Sequence, residues 1–204
     1  MPDATSATVG DAKRQAVVDH VLPAARRVVM QIGLETTMDQ IAEAAGVSRR
    51  TLFRLFDSRE KLIAAAFAAG MAGYSEQLPA YDGDLEGWLR ATCQAAHRMN
   101  SVVGPGYFQV TSSTELPPGL AAVEKRRLRE RRVIVADVAR ILWRAAGGKG
   151  DPPARLATTV SAHLSSYFTA AVKIDVGDRW QAAGDLAYDA IMAALERERP
   201  GATR

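Results

Sequence analysis

The sequence predicts an all-α fold of about nine helices, with a three-helix helix-turn-helix head at the N-terminus and a larger helical body behind it. Three observations carry this expectation. Apolar residues recur at i, i+3, i+4 and i+7 in one segment after another; no segment alternates apolar and polar residues as a half-buried strand does; and capping residues, glycines or prolines punctuate the helical runs. Residues 1–10 read as a loose tail, 11–61 as the head and 62–204 as the body.

The tail is small and polar, without period. Helix 1 is expected from Asp11 to about Ile32, with Val18, Val21, Leu22, Ala25, Val29 and Ile32 facing the core. Pro23 lies inside this pattern, so the helix either bends there or starts only near Leu22. Gly33 ends it. Thr37 then stands at an N-cap position with Gln40 three residues on, a capping box that starts helix 2 at Met38. Met38, Ile41, Ala42 and Ala45 make its apolar stripe, and Gly46 suits the left-handed conformation past its end. Ser48 offers a new N-cap two residues later, so the connection is the tight glycine-containing turn of a helix-turn-helix.

On a wheel of about 100° per residue, helix 3 gathers Leu52, Leu55 and Phe56 within roughly 100° of arc. Arg49, Phe53, Arg50 and Arg54 fall across roughly 140° on the other side, with Thr51 at the border. Arginines in a first turn oppose the helix dipole, and a phosphate or base-edge partner accounts for them. Arginine reads guanine in the major groove, and a phenylalanine ring rests on a thymine methyl. A charge run by itself would be a solvated face. The capped helix pair, the glycine turn and the aromatic among the arginines favour a DNA-reading surface.

Asp57 or Ser58 is expected to cap helix 4, with Glu60 in capping-box position relative to Asp57. This alanine-rich helix is expected to be the only link from head to body, with Gly70 and Gly73 near its far end. Helix 5 carries Leu85, Trp88, Leu89, Thr92, Ala96 and Met99 on one stripe. GPGYFQV, Gly104 to Val110, begins a short sixth helix. Pro117 and Pro118 suit the first turn of a long seventh that runs to about Ala146. GGKGDPP is a loop, and two final helices are expected over Ala154 to Lys173 and Asp178 to Arg199. Ala157, Val160, Ser161, Leu164, Ser165 and Phe168, with Leu186, Ala187, Ala190, Ile191 and Ala194, give these two small-residue apolar faces. Such faces suit a four-helix dimer bundle, or mutual burial within one subunit.

The run TTMDQIAEAAGVSRRTLFRLFDSREKLIAAAF, with AARRVVMQIG upstream, resembles the helix-turn-helix signature of the tetracycline-repressor (TetR) family of transcriptional regulators over about the first third of the chain. The resemblance implies an all-helical homodimer with a DNA-binding head and a ligand-sensing, dimerising body. It implies that Thr37 and Ser48 cap helices against the DNA backbone, that Arg49, Arg50, Thr51 and Arg54 face the major groove, and that Phe53 lies near the phosphates. Arg59 stands where the family has a phosphate-contacting lysine. Leu55, Phe53 and Val29 depart from the pattern, where a histidine or tyrosine, a tyrosine and a phenylalanine are usual. The resemblance further implies dimerisation through the last two helices, and hence a palindromic operator with reading helices about 34 to 36 Å apart. It also implies an effector cavity, for which Trp88, Thr92, Met99, Tyr107, Phe108 and Tyr167 are candidates, each of which reads more readily as plain core. The expected function is a repressor released by a small, mostly apolar effector, with an effector-independent activator or architectural protein as the alternative and a small helical enzyme as a remote one.

Composition excludes little. With 204 residues, 48% hydrophobic and 24% charged, the chain is long enough for a sizeable core. One cysteine, Cys93, allows no internal disulfide, and no leader is visible, so a cytoplasmic protein is expected. Leu156 to Val172 is uncharged but carries too many hydroxyls for a membrane span. His20, His97 and His163 show no metal spacing, and Cys93 with His97 lacks a third ligand or an orienting group, so neither a metal, a cofactor nor catalysis is expected. From Met1 to Lys61 there are nine Lys and Arg against eight Asp and Glu, so the head's basicity is local. The segment 124–149 holds nine against three, and its KRRLRERR run reads as a solvated helix face.

Overall fold

The computed structural model describes residues 9–71 and 73–199; residues 1–8 of the expected tail lie outside them, and its last two, Val9 and Gly10, belong to α1. Among the described residues there are ten α-helices and no strand. They are α1 (Val9–Ile32), α2 (Met38–Ala45), α3 (Arg49–Phe56), α4 (Arg59–Met71), α5 (Leu85–Asn100), α6 (Pro105–Ser112), α7 (Pro118–Ala145), α8 (Ala154–His163), α9 (Ser166–Val176) and α10 (Trp180–Glu198). Short 3-10 turns lie at Gly33–Glu35 and Ser75–Gln77.

The helices form two compact units. The first takes the chain up to Ala72 and adds Gly104–Arg126; the second takes Gly73–Val103 and everything from Arg127. The chain therefore passes between units after residues 72, 103 and 126, not along α4 alone. In the first unit α1 packs against α2, α4 and α6. Val21, Ala25 and Val29 of α1 are fully buried, as are Ile41, Leu52, Leu62 and Phe67, while Ile32 stays 38% exposed at the helix end. The Phe67 and Tyr107 rings stack at 6.0 Å between α4 and α6.

α1 runs unbroken through Pro23. Pro23 and Asp19 both lie on the exposed side, so water can take the Asp19 carbonyl that the missing N–H leaves unbonded. Of the two capping candidates for α4 the structure uses Ser58, whose Oγ accepts the Lys61 N–H at 3.2 Å. Asp57 closes α3 instead: it takes a positive φ of 63°, and its N–H donates to the Phe53 carbonyl at 2.9 Å. The Lys61 ammonium 2.8 Å from its carboxylate holds the Asp57 pKa below the usual range.

In the second unit Leu89, Cys93, Leu142, Leu156, Val160, Ile191 and Leu195 form a core with almost no exposure. α10 lies close on α5: a Cβ at Gly184 would stand 2.7 Å from the Gln94 amide. That amide donates to Asp185 Oδ1 at 2.8 Å. The single helix expected over Ala154 to Lys173 is two helices, which raises the count to ten among the described residues. Ser165 makes the break. Its Oγ donates to the Ala162 carbonyl at 2.7 Å and accepts the Phe168 N–H at 3.1 Å, closing α8 and capping α9 with one side chain.

Candidate nucleic-acid interface

Local sequence builds the α2–α3 pair. Thr37 and Gln40 form a reciprocal capping box, with Gln40 N–H on Thr37 Oγ1 at 3.2 Å and Thr37 N–H on Gln40 Oε1 at 2.8 Å. Gly46 takes φ 63°, ψ 31°, and a Cβ there would meet nothing within 4 Å, so backbone conformation alone calls for glycine. Ser48 Oγ accepts the Thr51 N–H at 3.1 Å and lies 2.9 Å from Thr51 Oγ1. Across this pair lies α1: His20 Nε2 is 2.9 Å from the Ala45 carbonyl, and Arg14 donates to the Leu55 carbonyl at 3.3 Å. His20 is thereby a structural tie between α1 and the end of α2.

Leu52 is fully buried on the inner face of α3, while Arg49, Arg50 and Arg54 are exposed, Phe53 is 40% exposed and Thr51 is half-buried. The exposed set is a basic face about one aromatic, on a helix of eight residues. Arg49 is already oriented. Its Nη1 lies 3.0 Å from Asp39 Oδ2 on α2, and its guanidinium sits 5.5 Å from the Phe53 ring centroid. With both partners more than half exposed, the ion pair contributes about 0 to 1 kcal/mol, so its effect is to aim the side chain. Asp39 is the residue that sequence reasoning missed. An acid in the first turn of α2 reads as a dipole partner, and only the angle between α2 and α3 brings it to Arg49.

Arg59, expected at a phosphate, turns inward. Its Nη1 donates to the carbonyls of Leu34 at 2.7 Å and Thr36 at 2.9 Å, and Nε stands 3.6 Å from Glu60. These carbonyls belong to the turn before α2 and have no helical N–H to accept from. The guanidinium supplies the donors.

The effector candidates divide between the units. Tyr107, buried, and Phe108, half-buried, belong to the first; Trp88, Thr92, Met99 and Tyr167 belong to the second. Tyr167 is 50% exposed. Trp88 donates its indole N–H to the Pro79 carbonyl at 3.0 Å, so it needs no ligand as partner. Two buried polar atoms of α5, Thr92 Oγ1 and His97 Nε2, have no hydrogen-bond partner among the described residues. His97 Nδ1 is 2.8 Å from Thr169 Oγ1, and burial pushes the ring down to a pKa of about 4. Beside it, Asn100 donates to the Leu164 carbonyl at 3.4 Å and accepts from Ser166 at 2.9 Å, so α5 is bonded to the break between α8 and α9. Sequence spacing singled out His97 only as a metal or base candidate and did not show it as a buried polar tie. Burial pushes the Cys93 thiol up to about 12, which removes it from nucleophilic chemistry.

A capped helix, a left-handed glycine and a second capped helix that presents arginines outward define a helix-turn-helix DNA-binding protein. Residues 21–66 match the family model described as bacterial regulatory proteins, tetR family. The fold is similar to that of a Rhodococcus sp. protein assigned to the TetR-family transcriptional regulators, with 18% identity, 88% of this chain and 99% of that one covered, and a TM-score of 0.66. It is also similar to a TetR-family transcriptional regulator from Streptomyces coelicolor, with 18% identity, 89% and 81% covered, and a TM-score of 0.65. No curated protein matches the chain. The family match covers the helix-turn-helix residues, and the fold as a whole is similar to that of TetR-family transcriptional regulators.

Proposed function

We propose that the protein is a homodimeric repressor whose two α3 helices read a palindromic operator and release it when a small, mostly apolar effector binds the second unit. The observation that carries the DNA-reading part is the outward set Arg49, Arg50, Phe53 and Arg54, with Arg49 held in place by Asp39. Thr37 and Ser48, as exposed caps at the starts of α2 and α3, add N–H groups and hydroxyls suited to phosphate oxygens. Thr51, next to them, is placed at the edge of the reading face.

For the proposed dimer, several of the residues that the sequence points to face inward, while Leu186 stays outward. Val160, Leu164, Ala187, Ile191 and Ala194 are buried within their own chain. Left outward on α9 and α10 are Tyr167 at 50%, Ile174 at 84% and Leu186 at 50% exposure, with Ala171 and Ala193 also exposed. Small residues between larger apolar ones allow close helix approach, which supports a bundle of these helices from two protomers. No described helix is long and apolar enough to cross a membrane.

The test is a mobility shift and footprint with the duplex immediately upstream of the protein's own coding region. Two protected half-sites about one helical turn apart are expected. A footprint of one half-site would remove the dimer from the proposal. For the effector, linkage requires that a molecule which releases DNA bind the DNA-loaded protein more weakly by the same factor. Equal affinities for free and loaded protein would refute release by that molecule.

A further inference from the structure

We infer that α6 is a positioning element for the DNA-reading pair: through Gly106 and Gln109 it fixes the Gly33–Thr36 turn from which α2 starts. The inference rests on the proposed DNA-reading function and adds to it a second input to the head, beside α4.

The turn is gripped from two sides. On one side the N-terminus of α6 meets it backbone to backbone: a Cβ on Gly106 would collide with the Gly33 nitrogen and the Val29 carbonyl, and a Cβ on Gly33 would collide with the Gln109 amide. Gln109 Oε1 accepts the Leu34 N–H at 2.9 Å. On the other side Arg59, the first residue of α4, donates to the Leu34 and Thr36 carbonyls. Inside, the fully buried Thr36 donates its hydroxyl to the Gly33 carbonyl at 2.8 Å. Gly33 adopts φ 78°, so the turn cannot be rebuilt around a larger residue without strain.

What the turn holds gives it consequence. The next residue is Thr37, the cap of α2, and two residues further Asp39 aims Arg49. With eight residues α2 is too short to persist alone, so its starting point is set by whatever holds the turn. Contact between glycine backbones has no rotamers to absorb a displacement, and a close-packed contact passes it on. α6 lies in sequence between α5 and the greater part of α7, both in the second unit, and so a shift of α6 reaches α2 directly.

The experiment uses the full chain and a duplex selected from a random pool by the wild-type protein. Gln109→Leu keeps the size and loses the acceptor; Gln109→Glu keeps an acceptor for the same N–H. Gln109→Leu is expected to weaken binding about fivefold, the scale of one neutral hydrogen bond, because ordering the turn then falls to the binding step. The slope of affinity on salt should be unchanged, since no phosphate contact is lost. Amide exchange over residues 34–40 should speed up, and Gln109→Glu should restore both affinity and protection. Gly106→Ala should weaken binding further, and if it fails to fold, the two Gln109 variants decide alone. Wild-type affinity in Gln109→Leu, or an altered salt slope that makes Gln109 a direct DNA contact, overturns the inference. Failure of the DNA-reading function itself looks different: the wild type would select no duplex, or Arg54→Ala would bind as tightly as wild type.

Discussion

His97 makes the stability of the second unit depend on pH in a window that its surroundings define. His97 Nδ1 lies 2.8 Å from Thr169 Oγ1, which also donates to the Ser165 carbonyl at 3.2 Å. Nε2 is buried and has no hydrogen-bond partner among the described residues. Burial lowers the ring's pKa to about 4; the nearby His163 carbonyl favours the charged form and the His163 ring opposes it. Because the folded pKa lies below the unfolded value of 6.5, the unfolded chain binds the proton first as pH falls. Stability is therefore intact above about pH 6.5, is lost progressively down to about pH 4, and changes no further from this group below that; the gap corresponds to about 3 kcal/mol. His97→Gln removes the titration while keeping a neutral donor for Thr169. Urea denaturation of wild type and His97→Gln at pH intervals from 7.5 to 3.5, all values about those set by this window, isolates the contribution, since every other carboxylate and histidine is common to both. The difference between the two curves should be flat, then fall by about 3 kcal/mol, then flatten again. Parallel curves would refute a buried neutral His97.

Three further outcomes are expected. Arg49→Ala and Arg54→Ala should each cost about 1 to 3 kcal/mol in operator affinity and relax sequence preference where the residue reads a base, as measured by competition between duplexes. Arg59→Ala should instead lower the unfolding midpoint and weaken binding with little change in the salt slope, since its donors go to the Leu34 and Thr36 carbonyls; a slope reduced by about 1 would return Arg59 to a phosphate. Cys93 should resist a thiol reagent at pH 8 in the native protein and react at once in denaturant, because burial holds its pKa near 12; fast native labelling would show that the α5 core opens.

The head was legible in the sequence because each of its instructions is local. The Thr37–Gln40 box, the left-handed Gly46 and the Ser48 cap act over three or four residues, and the wheel of α3 separates Leu52 from the arginines without knowledge of anything else. What was not legible depends on the angles between helices. Asp39 and Arg49 meet only because α3 crosses α2, and Gln109 finds Leu34 from 75 residues away. Arg59 at a helix start reads as a phosphate ligand until the orphan carbonyls of the turn come within its reach. The break at Leu164–Ser165 was hidden because no glycine or proline marks it, and a serine that caps its own successor looks like one more small residue in an apolar stripe. In the same way, a periodic small-residue face does not say which chain covers it, and Val160 and Ile191 are covered by their own.

The head's charge bears on the proposed dimer. Nine basic against eight acidic residues up to Lys61 give a single head little long-range attraction for DNA, so its affinity must come from a few placed contacts. In the proposed reading, Arg49 must in addition leave or share Asp39 to meet a base. One such head binds weakly, and joining two turns the second binding step into an intramolecular one, which raises avidity by about 10² to 10⁴ without a new contact. Ile174→Glu tests this cleanly. At 84% exposure the side chain contributes little to the protomer's fold, so the substitution should leave the unfolding curve nearly unchanged at a concentration where the variant is monomeric. Burying a glutamate in an apolar helix contact should shift the sedimentation profile from dimer to monomer. Operator affinity should then fall by a factor within that same range of about 10² to 10⁴, with the base preferences of each half-site retained. A variant that stays dimeric moves the interface away from α9, and one that is monomeric but binds the full operator as tightly as wild type would show that a single head suffices.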